Sequence, residues 1–342
     1  MANSTLLSKI DLTIVIPAYN EATRLPPMLS RLLEGFSNNL FNYLTTQVLV
    51  VDDGSCDGTA NVARSYLRDL PWGNVIRLPS NRGKGAAVRT GVAQARGERL
   101  VFIDADLAVD PFAIPELISR LDHSDIVIAS RAHQKSKNIG LLASRTIVGR
   151  IFNVMVRRLT GMNLLDTQCG FKAFNTKVAK MLFYLSTVDR FSFDVQILWI
   201  AKELGIVIEE APVTWHHMSG SHISAVFDPL SMLVDVYKAT SQLPQSRRLP
   251  IIVVHENKNP NNKEHHQPPS LDNRTLKESI SKAIRVTDLV TSWKDGVAIA
   301  MPLSSSGEGR GMAISLKRRF TGITCEETWI TIGQLLDSGI RW

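Results

Sequence analysis

The residues best suited to chemistry in this 342-residue chain are three acidic clusters, each placed at the end of an apolar run. Pro17-Ala18-Tyr19-Asn20-Glu21 closes the run 12–16, Asp52-Asp53-Gly54-Ser55 closes 48–51, and Asp104-Ala105-Asp106 closes 100–103. Carboxylates gathered in one place repel one another unless a cation or a hydrogen-bonding ligand lies between them. Two that are one residue apart can share a hard divalent ion. The pattern points to a metal-dependent nucleotide site with Asp104 and Asp106 as the metal ligands. The plainer reading of an isolated Asp-x-Asp is a solvated turn with a helix cap; two further acidic turns on the same edge weigh against it.

That shared edge follows from the elements. Short β-branched runs ending in turn residues read as buried parallel strands, and in open α/β sheets ligands bind where such strands end. Strand candidates at 12–16, 48–51, 100–103 and 125–130 alternate with helix candidates at 22–35, 59–70, 85–95 and 111–121, the pattern of βαβ units. An amphipathic helix is expected over 141–159, with Val148, Phe152, Met155, Val156 and Leu159 on one face and Arg150 and Arg157 opposite. That stripe fits either packing on the core or a bilayer interface. Further helices are expected at 193–204 and 229–242, separated by a strand-like 207–215. Residues 1–244 thus form one α/β domain. From Gln245 the composition changes, with Asn, Pro, His and Lys concentrated in 257–273, so 245–273 reads as a disordered linker and 274–342 as an extension of unassigned function. Within that extension 274–285 could be helical and 311–332 could hold short strands.

Composition is ordinary for a globular protein, with 44% hydrophobic and 21% charged residues and a net charge of +7. The positive charge is uneven: no acidic residue falls between Arg131 and Leu165, whereas Lys135, Lys137, Arg145, Arg150, Arg157 and Arg158 all do. An anionic ligand or surface is expected there, without a nucleic-acid partner. The three cysteines, Cys56, Cys169 and Cys325, fit a reducing compartment better than a disulfide framework. No basic and apolar leader precedes residue 11, and no window offers the roughly 20 apolar residues a bilayer span needs. The expected location is cytoplasmic, with any membrane contact peripheral and at the cytosolic face.

The three clusters, with Asn81-Arg82-Gly83-Lys84-Gly85 and Asp166-Thr167-Gln168-Cys169-Gly170-Phe171-Lys172, resemble the motifs of family 2 glycosyltransferases of the GT-A fold. The last motif is most similar to the polyprenyl-phosphate branch, and within it to the dolichyl-phosphate β-glucosyltransferases. The resemblance covers about 12–242 in consistent order. It implies a largely parallel, Rossmann-like α/β domain, a nucleotide sugar and a polyprenyl phosphate lipid as substrates, and Mg²⁺ or Mn²⁺ as cofactor. Inverting transfer of a hexose is implied too, glucose from UDP-glucose ahead of mannose from GDP-mannose.

On the donor side the resemblance implies Pro17, Tyr19, Glu21, Asp52, Asp53, Lys84, Ala105 and Arg131. Physical chemistry supports several of these. Uracil N3–H is a donor that a carboxylate can read, and the loop at Lys84 opens a helix whose first N–H groups could meet a phosphate. Asp53-Gly54-Ser55 is equally an ordinary tight turn, and Arg131 equally a surface cation. On the acceptor side the resemblance implies Arg145, Gln168, Lys172 and Ser221, with His216, His217, Ser219 and His222 close by. Asp166 joins Asp104 and Asp106 as a catalytic candidate, either as base or as an orienting carboxylate, a capping aspartate being the alternative. A phosphate monoester, with a second pKa near about 6, needs little help from a base, so cations that gather two like-charged substrates matter more.

Other classes fit less well. A sugar nucleotidyltransferase would open with a Gly-rich, Arg-containing loop after its first strand, and a processive synthase would carry Gln-x-x-Arg-Trp and membrane spans. A non-catalytic membrane-associated scaffold would tolerate Asp104→Asn and Asp106→Asn without change in metal-dependent nucleotide binding.

Overall fold

The computed structural model describes residues 9–41, 44–140 and 143–218, together with 235–237, 248–256, 280, 289–293, 296–300, 312, 316 and 323–331. Its main body is a seven-stranded sheet in the order β3-β2-β1-β4-β7-β5-β8. The strands are β1 (Leu12–Ala18), β2 (Thr46–Asp52), β3 (Gly73–Arg77), β4 (Arg99–Ile103), β5 (Ile126–Ser130), β7 (Phe171–Asn175) and β8 (Ile208–Pro212). All neighbours are parallel except β7, which runs antiparallel between β4 and β5.

Both faces of this sheet are covered, which is why its central strands read as continuous apolar runs. Side chains alternate across the pleat. Ile14, Ile16, Val48, Val50, Val101 and Ile103 pack with α1 (Leu25–Ser37), α2 (Thr59–Leu67) and α4 (Ile114–Ser119). Val15, Leu49, Val51, Phe102 and Phe174 pack on the opposite face with α3 (Lys84–Gln94), α6 (Thr176–Leu185) and α7 (Phe193–Glu203). Register aligns the ends of the strands: Ala18 lies opposite Asp52, and Val15 opposite Phe102. The turns that follow β1, β2 and β4 therefore open on one edge, as the sequence requires.

Expected helix 141–159 appears as α5 (Ala143–Thr160), but its apolar stripe is split. Phe152 and Val156 are buried, whereas Met155 and Leu159 are exposed together with Ile151 and Val154. The strand-like 207–215 divides into β8 and β9 (Thr214–His216), and β9 pairs in parallel with β6 (Lys137–Ile139). Among the described residues no helix is long and apolar enough to cross a membrane.

The stretch read as a linker, 245–273, is not wholly irregular. Arg248–Glu256 is a strand, β10, because Leu249 to Val254 is a largely β-branched apolar run that can pair on both sides. It lies between β12 (Gly296–Ala300) and β13 (Ile323–Thr331), with β11 (Leu289–Trp293) beyond β12, in an antiparallel four-stranded sheet. Ile252, Val254, Val297 and Ile299 form its small core with Ile280 and Leu316. Of the expected helix 229–242 only 235–237 is described, as helix, and 257–273 lies outside the described residues.

Candidate functional site

The turn after β1 is fastened to the turn after β2. Asn20 N–H donates to Ser55 Oγ at 2.9 Å, Glu21 N–H to Thr59 Oγ1 at 2.9 Å, and Cys56 N–H to Asn20 Oδ1 at 3.1 Å. Asn20 adopts φ 54°, and Leu107, just beyond the third cluster, φ 58°. Left-handed backbone is uncommon for residues other than glycine and marks turns that their surroundings hold in place. Tyr19 is 38% exposed beside this seam, and Glu21 is paired with Arg24 through a 2.6 Å bond from Nε.

Asp52 and Asp53 are buried and engaged within the fold. Asp52 Oδ1 accepts from Ser55 N–H at 2.9 Å, and its Oδ2 lies 3.3 Å from Arg77 Nε. Asp53 accepts from Arg82 N–H at 2.8 Å and Gly83 N–H at 2.7 Å, one on each oxygen. Burial raises the Asp53 pKa, with those two amides pulling the other way. Asp53 thus anchors the loop that carries Lys84. The far side of that loop is clamped by Asp189, a residue no motif singled out. Its carbonyl accepts from Ala86 N–H at 3.0 Å, so this first-turn amide of α3 is spent internally rather than offered to a phosphate. Asp189 also pairs with Arg89 and, at 3.4 Å, with Arg82. Gly83 adopts φ 109°, and a Cβ on it would lie 2.5 Å from the Asp189 carbonyl oxygen, so only glycine fits there.

Lys84 Nζ reaches Asp104 Oδ1 at 2.6 Å. Burial lowers the lysine's pKa, but the carboxylates of Asp104 and Asp194 outweigh it and raise the pKa, so Lys84 is a cation. Asp106 accepts from Ala108 N–H at 3.1 Å, and its pKa is raised by burial and by Asp104. Ala105, between the two, is buried. The pair meets the requirements of a small hard cation: two carboxylates, with a cation already drawn to Asp104. Among the described residues no group of three or more His, Cys, Asp or Glu side chains is gathered for a metal. Mg²⁺ or Mn²⁺ held here would take its remaining oxygens from water or substrate phosphate, the usual habit of these ions.

Across the site, Arg131 and Asp166 form a bidentate pair. Arg131 Nε and Nη2 donate at 2.7 and 2.9 Å, and its backbone N–H adds a third bond at 2.9 Å. Burial opposes the Asp166 charge, yet the Arg131 charge and these bonds hold its carboxyl below the usual carboxylate range. A carboxylate so occupied is placed to orient the loop that carries it. Glu210 fixes the same loop by accepting from Leu165 N–H at 2.8 Å and Asp166 N–H at 3.1 Å. Gln168 Nε2, Thr167 Oγ1 and Ser130 Oγ are buried beside this pair without hydrogen-bond partners, polar atoms that a ligand or water can satisfy.

The acceptor candidates part company. Lys172, expected at the acceptor, is fully buried, with its ammonium committed to Asp194 at 2.6 Å and to the Cys169 carbonyl at 2.6 Å. It lies one residue inside the start of β7, next to the edge where β4 ends, and its side chain turns into the packed interior toward Asp194 of α7. Arg145 belongs to α5, and Ser219, Ser221 and His222 lie outside the described residues. His216 N–H donates to the Ala108 carbonyl at 2.8 Å, which brings the 214–217 segment beside the Asp104–Asp106 turn. Arg24, Asp189, Asp194 and Glu210 were missed. Asp194 left a faint signal, as an acid in the first turn of a helix that is apolar from Ile197 to Ala201.

Comparison with known proteins agrees with this arrangement. The model of "Glycosyl transferase family 2" matches residues 13–183. A dolichyl-phosphate β-glucosyltransferase of Dictyostelium discoideum is 32% identical over 252 residues, 69% of this chain and 76% of the relative. Those of Drosophila melanogaster and Homo sapiens are 36% and 35% identical, over 67% and 66% of this chain and 74% of each relative. Among solved structures, glucosyl-3-phosphoglycerate synthase from Mycobacterium tuberculosis, in complex with Mn²⁺, UDP-glucose and phosphoglyceric acid, superposes with a TM-score of 0.52 at 18% identity, covering 68% of this chain and 80% of that one. Mannosyl-3-phosphoglycerate synthase from Rubrobacter xylanophilus gives 0.52 at 16% identity, over 85% of both chains. These last two share the fold. Acidic turns on one edge of a GT-A sheet, a family model spanning that sheet and relatives aligned over two thirds of the chain lead to one conclusion: the protein belongs to glycosyl transferase family 2 and is a hexosyltransferase.

Proposed function

We propose that this enzyme transfers glucose from UDP-glucose to dolichyl phosphate with inversion, dependent on Mg²⁺ or Mn²⁺, at the cytosolic face of a membrane. The observation that carries the reading is the cluster of Lys84, at the start of α3, with Asp104 and Asp106 after β4, near enough to the Arg131–Asp166 pair for the Asp104 charge to act on Arg131. The relatives' names supply the lipid and the sugar.

In this reading the bond from glucose C1 to the β-phosphate oxygen breaks, with its electrons leaving on UDP, as a phosphate oxygen of the lipid attacks C1 from the other face. A divalent ion held by Asp104 and Asp106 would supply Lewis-acid stabilisation of the charge that develops on the leaving diphosphate. Lys84 already carries its proton and adds a second positive charge on that side. Asp166 keeps Arg131 in place, and the lipid phosphate arrives largely ionised, so no side chain has to act as base.

Attachment to a lipid surface is supported by α5, on which Ile151 (56%), Val154 (48%), Met155 (43%) and Leu159 (45%) are exposed together. Arg158 lies on the same side of the helix by spacing, and Asn153 Nδ2 ties the helix to the Leu164 carbonyl, two residues before Asp166, at 3.2 Å. A stripe of this kind suits the boundary between headgroups and acyl chains. Cys56 and Cys169 are free thiols, which suits the cytosolic side.

The test is direct. Purified protein is incubated with dolichyl phosphate and Mn²⁺ or Mg²⁺, with UDP-glucose and GDP-mannose in parallel, and the glycolipid is identified by mass. Glucosyl lipid from UDP-glucose is expected, with at least about 100-fold loss in Asp106→Asn, in line with the several kcal/mol a Lewis acid contributes. Product from GDP-mannose alone would overturn the glucose assignment.

A further inference from the structure

Lys172 lies opposite Phe102 of β4 and Ile128 of β5, one residue in from the edge at which β4 ends, and has no exposure to solvent. A buried ammonium needs a charged partner. Asp194 on α7 provides it, and the two side chains are 0% and 4% exposed. The second bond of the ammonium, to the Cys169 carbonyl at 2.6 Å, reaches out of the core to the loop that precedes β7. The next residue, Gly170, touches the donor side twice. Its carbonyl accepts from Asp104 N–H at 3.0 Å, and a Cβ on it would lie 1.8 Å from Asp104 Oδ2, so the Asp104 carboxylate rests directly against the glycine. An unbroken line of contacts thus runs from α7 through Lys172, Cys169 and Gly170 to Asp104.

Stability alone does not require such a pair, since buried ion pairs are often replaced by apolar side chains of similar volume at no loss. What an apolar pair could not do is donate to the Cys169 carbonyl. We infer that the Asp194–Lys172 pair is a positioning device for the donor site, fixing the backbone at 169–170 and thereby the place from which Asp104 presents its carboxylate to Lys84 and to a metal-bound nucleoside diphosphate. The inference rests on the donor-side reading of Asp104 given above.

The test separates position from stability. The double variant Lys172→Met/Asp194→Leu removes the charges and the donor while filling the space. Its melting temperature should stay within a few degrees of wild type, while Mn²⁺ binding followed by electron paramagnetic resonance and UDP binding with Mn²⁺ followed by calorimetry should each weaken at least tenfold. In turnover, kcat/KM for UDP-glucose should fall by a similar factor with KM for the lipid unchanged. A folded double variant that binds Mn²⁺ and UDP as wild type does overturns the proposal. Should the double variant fail to fold, Asp194→Asn, which keeps the volume and an acceptor for Lys172, should weaken UDP binding at least threefold, and unchanged binding there overturns the proposal equally. Because neither binding measurement needs lipid or sugar, wild-type protein that binds both ligands yet makes no glucosyl lipid refutes the functional reading alone. Wild-type protein that binds neither refutes both.

Discussion

At the residue scale, the sequence displays which side chains are capable of chemistry and conceals what each is bound to. Asp53, Lys84, Asp104 and Asp166 all stand at the edge that their motifs imply, but their partners come from 29, 20, 66 and 35 positions away: Arg82, Asp104, Gly170 and Arg131. Lys172 shows the consequence, because a lysine in a motif reads as a ligand-binding cation until its buried partner 22 positions on is seen. Asp166 allows a test of the same point through pH. Its carboxyl is held below the ordinary range, the Arg131 charge outweighing the effect of burial. As pH falls, the unfolded chain binds the proton first, so the stabilisation is complete above the ordinary aspartate pKa of about 3.9 and is lost as pH drops through the lower folded value. Asp166→Asn should therefore cost about 2 kcal/mol at pH 7 in urea unfolding, less than the roughly 3–5 kcal/mol of a fully buried pair because Arg131 is a third exposed. The gap should narrow as pH falls below about 4. An equal deficit at both ends of that range would contradict the account.

At the element scale, period and composition located most of the βαβ units within a few residues, since strands covered on both faces are apolar throughout and helices carry a stripe. Among the elements that escaped were the short β6, helix α6, the half-buried strand β3, and β7, whose sequence Phe171-Lys172-Ala173-Phe174-Asn175 contains a charge that ordinarily argues against a central strand. That charge is tolerated only because α7 brings Asp194 to it. Helix α5 shows a different limit: periodicity reveals a stripe but not what covers it. Phe152 and Val156 meet the core, while Ile151, Val154, Met155 and Leu159 do not. If the open stripe rests on lipid, Ile151→Ser/Met155→Ser should reduce flotation with vesicles of phosphatidylcholine and phosphatidylserine at least fivefold. Its melting temperature should hardly change, since exposed substitutions cost within about 0.5 kcal/mol. Undiminished flotation would leave the stripe without a role at a membrane.

At the scale of the whole molecule, the change of composition at Gln245 was legible, but its meaning was not. Part of the following stretch, Leu249 to Val254, is as apolar as any strand of the main sheet and forms the centre of a second one. The two sheets are not independent, because β10 has two apolar faces. Ile252 and Val254 belong to the small core with Val297 and Ile299, whereas Val253, between them, joins the cluster that contains Val15, Phe102 and Phe174. Such a strand couples the sheets through alternate residues, as the period of 2 demands. Each variant that leaves a hole in either cluster should then weaken the same cooperative unit. Val253→Ala is expected to cost about 1–2 kcal/mol and Ile299→Ala about 2–5 kcal/mol, by loss of buried methyl groups and the cavity left behind. Both should move a single calorimetric transition downward, in proportion to those losses. Two resolved transitions, with Ile299→Ala shifting one and Val253→Ala the other, would mean that the 248–331 sheet unfolds alone and that contact through Val253 carries no coupling.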